Sequence, residues 1–361
     1  MLLILILVRV CGKMRWTNDQ GRGRVPSTNV GLSRQEKMIR VAGVSVVVPT
    51  RNRAHLVRLS VLSALRQRGI DVEVIVVDDA STDDTADVVS RLGDRRVRLL
   101  RQASNGGVSA TRNRGIEEVR AEWISFLDDD DLWSPQKLVL QLEAVRNAGR
   151  TWAFAGDVTV GEDLRVRSAL PPPTPEEVME ALPRYNPVPS GASNVIVRAD
   201  ALADAGPFDP NLRRTEDWDM WLRLARIGPP AYVPRPLVAS RFHRANIAGE
   251  TDAIVAEPDL LASRYGIQVD RAAMHRRAAW ACLRAGNRGG AVGHYARAVR
   301  LGDVKSLARA AVTLVHPAVG SDRIFGLLRG STTDERWRAE AQAWLDELSG
   351  LQSTLMNPSK P

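Results

Sequence analysis

Four short apolar runs, at residues 44–48, 72–77, 97–100 and 123–127, alternate with helical patterns between residues 44 and 147. The runs are rich in β-branched and large apolar residues and leave little room for a wet face. The runs at 44–48, 72–77 and 123–127 read as strands covered on both sides, as in a parallel sheet, and 97–100 as a further strand. Between them, Leu56, Leu59, Leu62 and Leu65 form one stripe of a helix over residues 54–68. Ser81-Thr82-Asp83-Asp84 has capping-box-like spacing for a helix through Leu92. Asn105-Gly106-Gly107 opens a helix over 109–119, and Ser134-Pro135 supplies an N-cap and a first-turn proline for a helix to about Asn147. Such alternation builds a parallel α/β sheet, whose ligands bind beyond the carboxyl ends of the strands.

Asp78, Asp79, Asn105 and the run Asp128-Asp129-Asp130-Asp131 all fall at such ends. Four adjacent carboxylates repel one another and raise each other's pKa, so a cation or hydrogen-bond donors must offset them. Hard oxygen ligands on a short turn suit Mg²⁺ or Mn²⁺ held together with substrate phosphates. A solvated acidic loop is the alternative from the run alone. Asn105-Gly106-Gly107 lets backbone N–H groups approach an anion at a helix N-terminus, and Arg112 and Arg114 follow as cationic donors. Gly21-Arg22-Gly23 follows no strand and lacks a third glycine, so it is no dinucleotide fingerprint. No glycine loop ending in Lys-Ser/Thr is present either.

Further along, residues 152–160 and 194–197 read as strands, separated by a Pro-rich loop at 171–175. Glu216-Asp217-Trp218 starts a helix with Trp218, Trp221, Leu222 and Ala225 inward, and 231–242 carries strand signals broken by prolines. Beyond 255 the chain turns to Ala-, Arg- and Leu-rich helices, with a pair at 272–285 and 289–301 around Gly286. Trp280, Leu283, Tyr295 and Val299 are assigned to their core. The expected domains are therefore a basic disordered tail at 1–43, an α/β domain at 44–250 and a helical region at 255–350.

The first eight residues are apolar but too few to span a bilayer, and they lack the flanks of a signal peptide. Met14 or Met38 is an alternative start. Two cysteines, Cys11 and Cys282, make neither a disulfide framework nor a zinc site, so a reducing cytosol is expected. The net charge of +8 is unevenly spread: residues 1–43 carry +6, 260–330 carry +9, and 44–259 carry −5. An acidic core argues against nucleic acid as a partner. The basic flank permits peripheral contact with anionic lipid at the inner face of the plasma membrane.

Five stretches now occur in order: Val44-Ser-Val-Val-Val-Pro-Thr-Arg-Asn52, Val76-Val-Asp-Asp-Ala-Ser-Thr-Asp83, Asn105-Gly-Gly-Val-Ser-Ala-Thr-Arg-Asn-Arg-Gly115, Phe126-Leu-Asp-Asp-Asp-Asp-Leu-Trp133 and Glu216-Asp-Trp-Asp-Met-Trp-Leu-Arg223. Together they resemble the family 2 glycosyltransferases over about residues 43–245. The resemblance implies a GT-A-type, Rossmann-like, mainly parallel sheet with flanking helices, followed here by a C-terminal α-helical region. It implies inverting transfer from a nucleotide-diphospho-sugar. Pro49, Thr50 and Arg51 would line the nucleoside pocket, Asp79 with Asp78 would contact the base, and Arg112 would help hold the nucleotide. Asp128 and Asp130 would be the metal pair, with Mn²⁺ or Mg²⁺ as cofactor, and His243 would touch the metal or diphosphate.

Asp217 would be the general base, which works best with a raised pKa; Trp218 and Trp221 are expected to supply the desolvation. The alternative role for Asp217 is a helix-capping carboxylate. Arg51 stands where relatives often have an aromatic, although a guanidinium also stacks. Absence of a Gln-x-x-Arg-Trp motif argues against a processive synthase. A glycan or lipid-linked acceptor, in cell-envelope or exopolysaccharide assembly, is the expected partner. The competing readings are a nucleotidyltransferase, whose glycine- and lysine-rich start motif is missing, and a non-catalytic scaffold acting through the C-terminal helices.

Overall fold

The computed structural model describes residues 43–241, 251–315 and 334–356. The basic tail, Cys11, both alternative starts and His243 lie outside the described residues. The first half follows the expected alternation: β1 (Val44–Thr50), α1 (Val57–Leu65), β2 (Val72–Asp78), α2 (Thr85–Ser90), β3 (Val97–Arg101), α3 (Gly107–Ile116) and β4 (Trp123–Phe126). These strands pair in parallel in the order β3-β2-β1-β4. The chain thus winds outward from β1 to β3 and returns to the other side of β1. That reversal opens a crevice between the carboxyl ends of β1 and β4. Alternation along β1 explains its uniform burial. Val44, Val46 and Val48 pack with α1, whereas Val47 joins Phe126 and Trp218 in a second cluster.

The second half is mixed. It comprises β5 (Asp131–Trp133), α4 (Lys137–Ala148), β6 (Trp152–Val160), β7 (Val166–Leu170), α5 (Pro175–Ala181), β8 (Ile196–Arg198), α6 (Ala199–Ala205), α7 (Glu216–Ile227) and β9 (Ala231–Arg241). The order continues β4-β8-β6-β9-β5, with β7 on β6. β8 is antiparallel to β4 and β6, β5 is antiparallel to β9, and β9 runs parallel to β6. On a flat sheet, β5 would sit four strand spacings from β4, about 19 Å away. The few residues joining them are folded into a turn, with Asp131 N donating to Asp128 O at 3.1 Å. The sheet must therefore curl, and the acidic turn closes the curl.

Local signals were misread in three places. The helix after Ser134-Pro135 starts only at Lys137, because Asp131–Trp133 is a strand and Ser134 N bonds Leu237 O of β9. Ser81 caps nothing: α2 begins at Thr85, and the Ser81 hydroxyl instead accepts from Asn52 N. The Pro-rich loop ends in α5, which has a capping box between Thr174 and Glu177 with Pro175 in its first turn. The strand signals at 231–241 form one strand, which absorbs its prolines as register shifts opposite Gly156.

Among the described residues, five helices follow: α8 (Thr251–Tyr265), α9 (Arg271–Arg284), α10 (Arg288–Arg300), α11 (Lys305–Val315) and α12 (Glu335–Met356). The expected pair is α9–α10. All the described residues belong to one compact unit. Leu261 of α8 and Met274 of α9 share the cluster of Trp218 and Phe126. Ala341, Trp344, Leu345 and Leu348 of α12 cover Val158, Val160 and Ala169 on β6 and β7. No helix among the described residues is long and apolar enough to cross a membrane.

Candidate active site

A cleft of about 730 Å³ opens at the crevice between β1 and β4. Pro49, Thr50 and Arg51 from the end of β1 line it, as do Asp79, Asn105, Gly106 and Arg112. Asp128, Asp129 and Asp130 form its floor, and Arg213, Arg214 and Glu216 form its far wall. Nine of the expected site positions thus meet in one place. Asp78 and Asp217 do not line the cleft.

Asp78 is wholly buried, and its oxygens accept from Ser81 N at 3.1 Å and Arg101 Nε at 3.0 Å. Expected beside the base, it instead fixes the turn after β2, a correction that follows from its zero exposure. The N–H groups of Gly106 and Gly107 already have an anion. They donate to the two Asp79 oxygens at 2.7 and 3.0 Å, and Gln102 Nε2 adds a third donor at 2.9 Å. The helix N-terminus therefore holds the chain's own carboxylate rather than an open phosphate cradle.

The acidic run alternates. Asp128 and Asp130 are partly exposed to the cleft, whereas Asp129 and Asp131 are buried. Asp129 Oδ2 accepts from Thr50 Oγ1 at 2.7 Å. Burial, then the Asp130 charge, pushes Asp129 up to about 7. Burial likewise raises Asp131 well above the carboxylate range, with Asp130 and Asp128 adding to it. Arg241, at the end of β9, braces the turn from beneath. Its Nε donates to Asp130 O at 2.6 Å, and its Nη2 to Asp129 O at 3.1 Å and Ser60 Oγ at 2.8 Å. Sequence reasoning missed Arg241, since nothing local marks a partner 111 residues away.

Arg112 joins the acidic turn to α7. It is buried over the Phe208 ring, 5.3 Å from the centroid. Nη2 donates to Asp128 Oδ1 at 2.7 Å and Nη1 to Glu216 Oε1 at 3.0 Å. Burial alone would lower its pKa, but Asp128, Glu216 and Asp217 outweigh it and hold the guanidinium above its ordinary value. One cation thus serves three carboxylates. The deficit falls on Glu216, which burial and then Asp217 push up to about 7.

Asp217 takes Trp218 N on Oδ1 at 2.7 Å and Asn186 Nδ2 on Oδ2 at 3.1 Å. The tryptophans expected to desolvate it serve the core instead. Trp218 Nε1 bonds Leu182 O, and Trp221 stacks on Trp152 with centroids 5.9 Å apart. Asn186 is a second residue that the sequence did not mark.

The Glu216 shift sets a pH dependence. A carboxyl whose folded pKa is raised binds its proton more tightly when folded, so its contribution to stability is lost as pH climbs from about 4.5 to about 7. Glu216→Gln keeps an oxygen for Arg112 and removes that loss. The melting-temperature advantage of the variant over wild type is expected to grow across this window and level off above it. A difference that stays constant from pH 4.5 to 8 would contradict the burial of a charged Glu216.

A curled α/β sheet with an acidic turn at its reversal point is a fold of the GT-A type. Residues 45–193 match the model of glycosyl transferase family 2. TuaG of Bacillus subtilis, a glycosyltransferase named for teichuronic acid biosynthesis, is 29% identical over 196 residues, 52% of this chain and 74% of TuaG. The succinoglycan biosynthesis protein ExoO of Rhizobium meliloti is 41% identical over 110 residues, 30% of this chain and 32% of ExoO. The chain spans about a third of the length of the first curated relatives it matches, such as a Rickettsia felis glycosyltransferase at 34%. Among solved structures, residues 1–349 of S. aureus TarS in complex with UDP-GlcNAc superpose with a TM-score of 0.50 at 15% identity. That match covers 84% of this chain and 92% of the other. At that identity the likeness bears on the fold alone.

Proposed function

We propose that this domain transfers a sugar from a nucleotide-diphospho-sugar to an acceptor hydroxyl in one inverting, metal-dependent, non-processive displacement. The acceptor is a glycan or lipid-linked chain of cell-envelope or exopolysaccharide assembly, met at the inner face of the plasma membrane. One observation carries the reading: Arg112, in the cleft, bonds Asp128 of the acidic turn and Glu216, the neighbour of Asp217 on α7. Charge handling for a diphosphate and a candidate base are thereby held in fixed relation.

Among the described residues, no three His, Cys, Asp or Glu side chains gather into a metal-binding group. That fits a cation which takes one or two carboxylates and fills its shell with phosphate oxygens and water. Asp128, with Oδ1 on Arg112 and Oδ2 left over, and Asp130 would hold it. When bound, Mn²⁺ or Mg²⁺ supplies positive charge to the leaving diphosphate. Arg51, Arg213 and Arg214 line the cleft and add cationic charge there. Asp217 takes the proton of the acceptor hydroxyl as its oxygen attacks the anomeric carbon from the face opposite the diphosphate. A single displacement on that face inverts the configuration.

A thermal-shift panel of nucleoside diphosphates, with and without Mn²⁺, tests donor and metal together. Ligand at about 100 times its dissociation constant adds roughly 2.7 kcal/mol to the folded state. One nucleotide is expected to raise the melting temperature in Mn²⁺, and Asp130→Asn is expected to abolish that rise. No shift with any nucleotide, or equal shifts with and without Mn²⁺, would overturn the reading.

A further inference from the structure

Helix α11 is built inside out. Its buried positions include Ser306 and Thr313, with Ala310 and Val312 against the cluster around Tyr295. Its outward face carries the larger aliphatics: Leu307 is 61% exposed, Leu314 66% and Val315 82%, with Leu301 at 49% and Val304 at 72% in the turn before it. Val304, Leu307, Ala311 and Leu314 recur at helical spacing and make one stripe. The orientation is fixed from the protein side. Ser306 Oγ donates to Asp303 Oδ2 at 2.7 Å, and Arg288 caps the carboxyl end at Thr313 O and Leu314 O, both at 3.1 Å. A contiguous exposed apolar stripe on a soluble fold marks a contact surface.

The charge around the stripe selects the partner. Arg300 and Lys305, next in sequence to Leu301 and Val304, are exposed, and residues 260–330 hold twelve Lys and Arg against three Asp. A second copy docked stripe to stripe would press the same positive rim against itself. A surface both apolar and anionic complements the stripe and the rim together. We infer that α11 lies in the plane of an anionic phospholipid surface, with Leu307 and Leu314 in the acyl boundary and Arg300 and Lys305 at the headgroups. This inference rests on the transferase reading only for its purpose, which is to bring the cleft to a lipid-linked acceptor.

The test is co-sedimentation of the full chain with vesicles of phosphatidylglycerol and phosphatidylcholine in equal parts, against phosphatidylcholine alone. Wild type is expected to bind the mixed vesicles and to leave the neutral ones. Leu307→Glu with Leu314→Glu is expected to weaken binding at least about tenfold. Arg300→Glu or Lys305→Glu is expected to weaken it about fivefold each. Mixed-vesicle binding unchanged by the leucine pair would overturn the inference. So would a fall in melting temperature of several degrees in that variant, which would show that the chain covers its own stripe. Conversion of a dimer to a monomer would assign the stripe to a second copy and overturn it too. Donor turnover in solution, measured in the same variants, stays at the wild-type level if only the membrane contact fails, so the two readings fail separately.

Discussion

Asp217→Asn is expected to lower sugar transfer by 10² to 10⁴-fold, in the range lost with a positioned general base, while nucleoside diphosphate affinity stays within a few-fold of wild type. The side chain is held on both oxygens, by Trp218 N and Asn186 Nδ2. Gly191 makes room for it: its φ is +48°, and a Cβ there would come within 2.7 Å of Asp217 Oδ2. Asparagine has the same shape but a single acceptor oxygen, so one contact survives and the proton acceptor is gone. Asp217 does not line the cleft, which is why donor binding is expected to persist. The readout is the initial rate of nucleoside diphosphate release, with acceptor or with water as nucleophile. A variant within tenfold of wild type would move the base elsewhere. Glu216 is the next carboxyl to examine, since it lines the cleft and titrates near 7.

The parallel half of the sheet was legible because β1, β2 and β4 bury both faces, and that demand writes itself into nearly uniform apolar runs. The co-location of Asp79, Asn105 and Asp128 followed from chain order, since a parallel sheet puts every strand end on one edge. What local pattern could not supply was the use made of each group. Whether Gly106 and Gly107 face a phosphate or Asp79 depends on a side chain 27 and 28 residues back. Lys137 opens α4 with a charge that reads as solvent-facing, yet it is wholly buried over the Trp133 ring, with Nζ bonded to Gln141 Oε1 at 2.9 Å. Burial lowers its pKa well below the lysine range. The short strand Asp131–Trp133 was hidden because its pairing partner, β9, lies about a hundred residues on. By contrast, the Thr174–Glu177 capping box was visible and was obscured only by the prolines around it.

Arg112→Met is expected to cost roughly 3–5 kcal/mol of folding free energy, the usual penalty for stripping one partner from a buried ion pair. For a chain of this size that is on the order of 10 °C in melting temperature. The magnitude follows from what remains: Glu216, already pushed up to about 7 with its cation in place, and Asp128, whose Oδ1 loses its donor. Among the described residues, Glu216 Oε2 has no hydrogen-bond partner even with Arg112 in place. Lysine at 112 would reach one carboxylate and not bridge two, so Arg112→Lys should recover only part of the loss. The decisive comparison is the double variant Arg112→Met with Glu216→Gln. Removing the stranded charge should restore about 1–2 kcal/mol, a coupling that two independent sites would not show. If both single changes add within about 0.5 kcal/mol, Arg112 is packing on Phe208 rather than neutralising α7. The tie between the acidic turn and Asp217 would then have to run through the backbone.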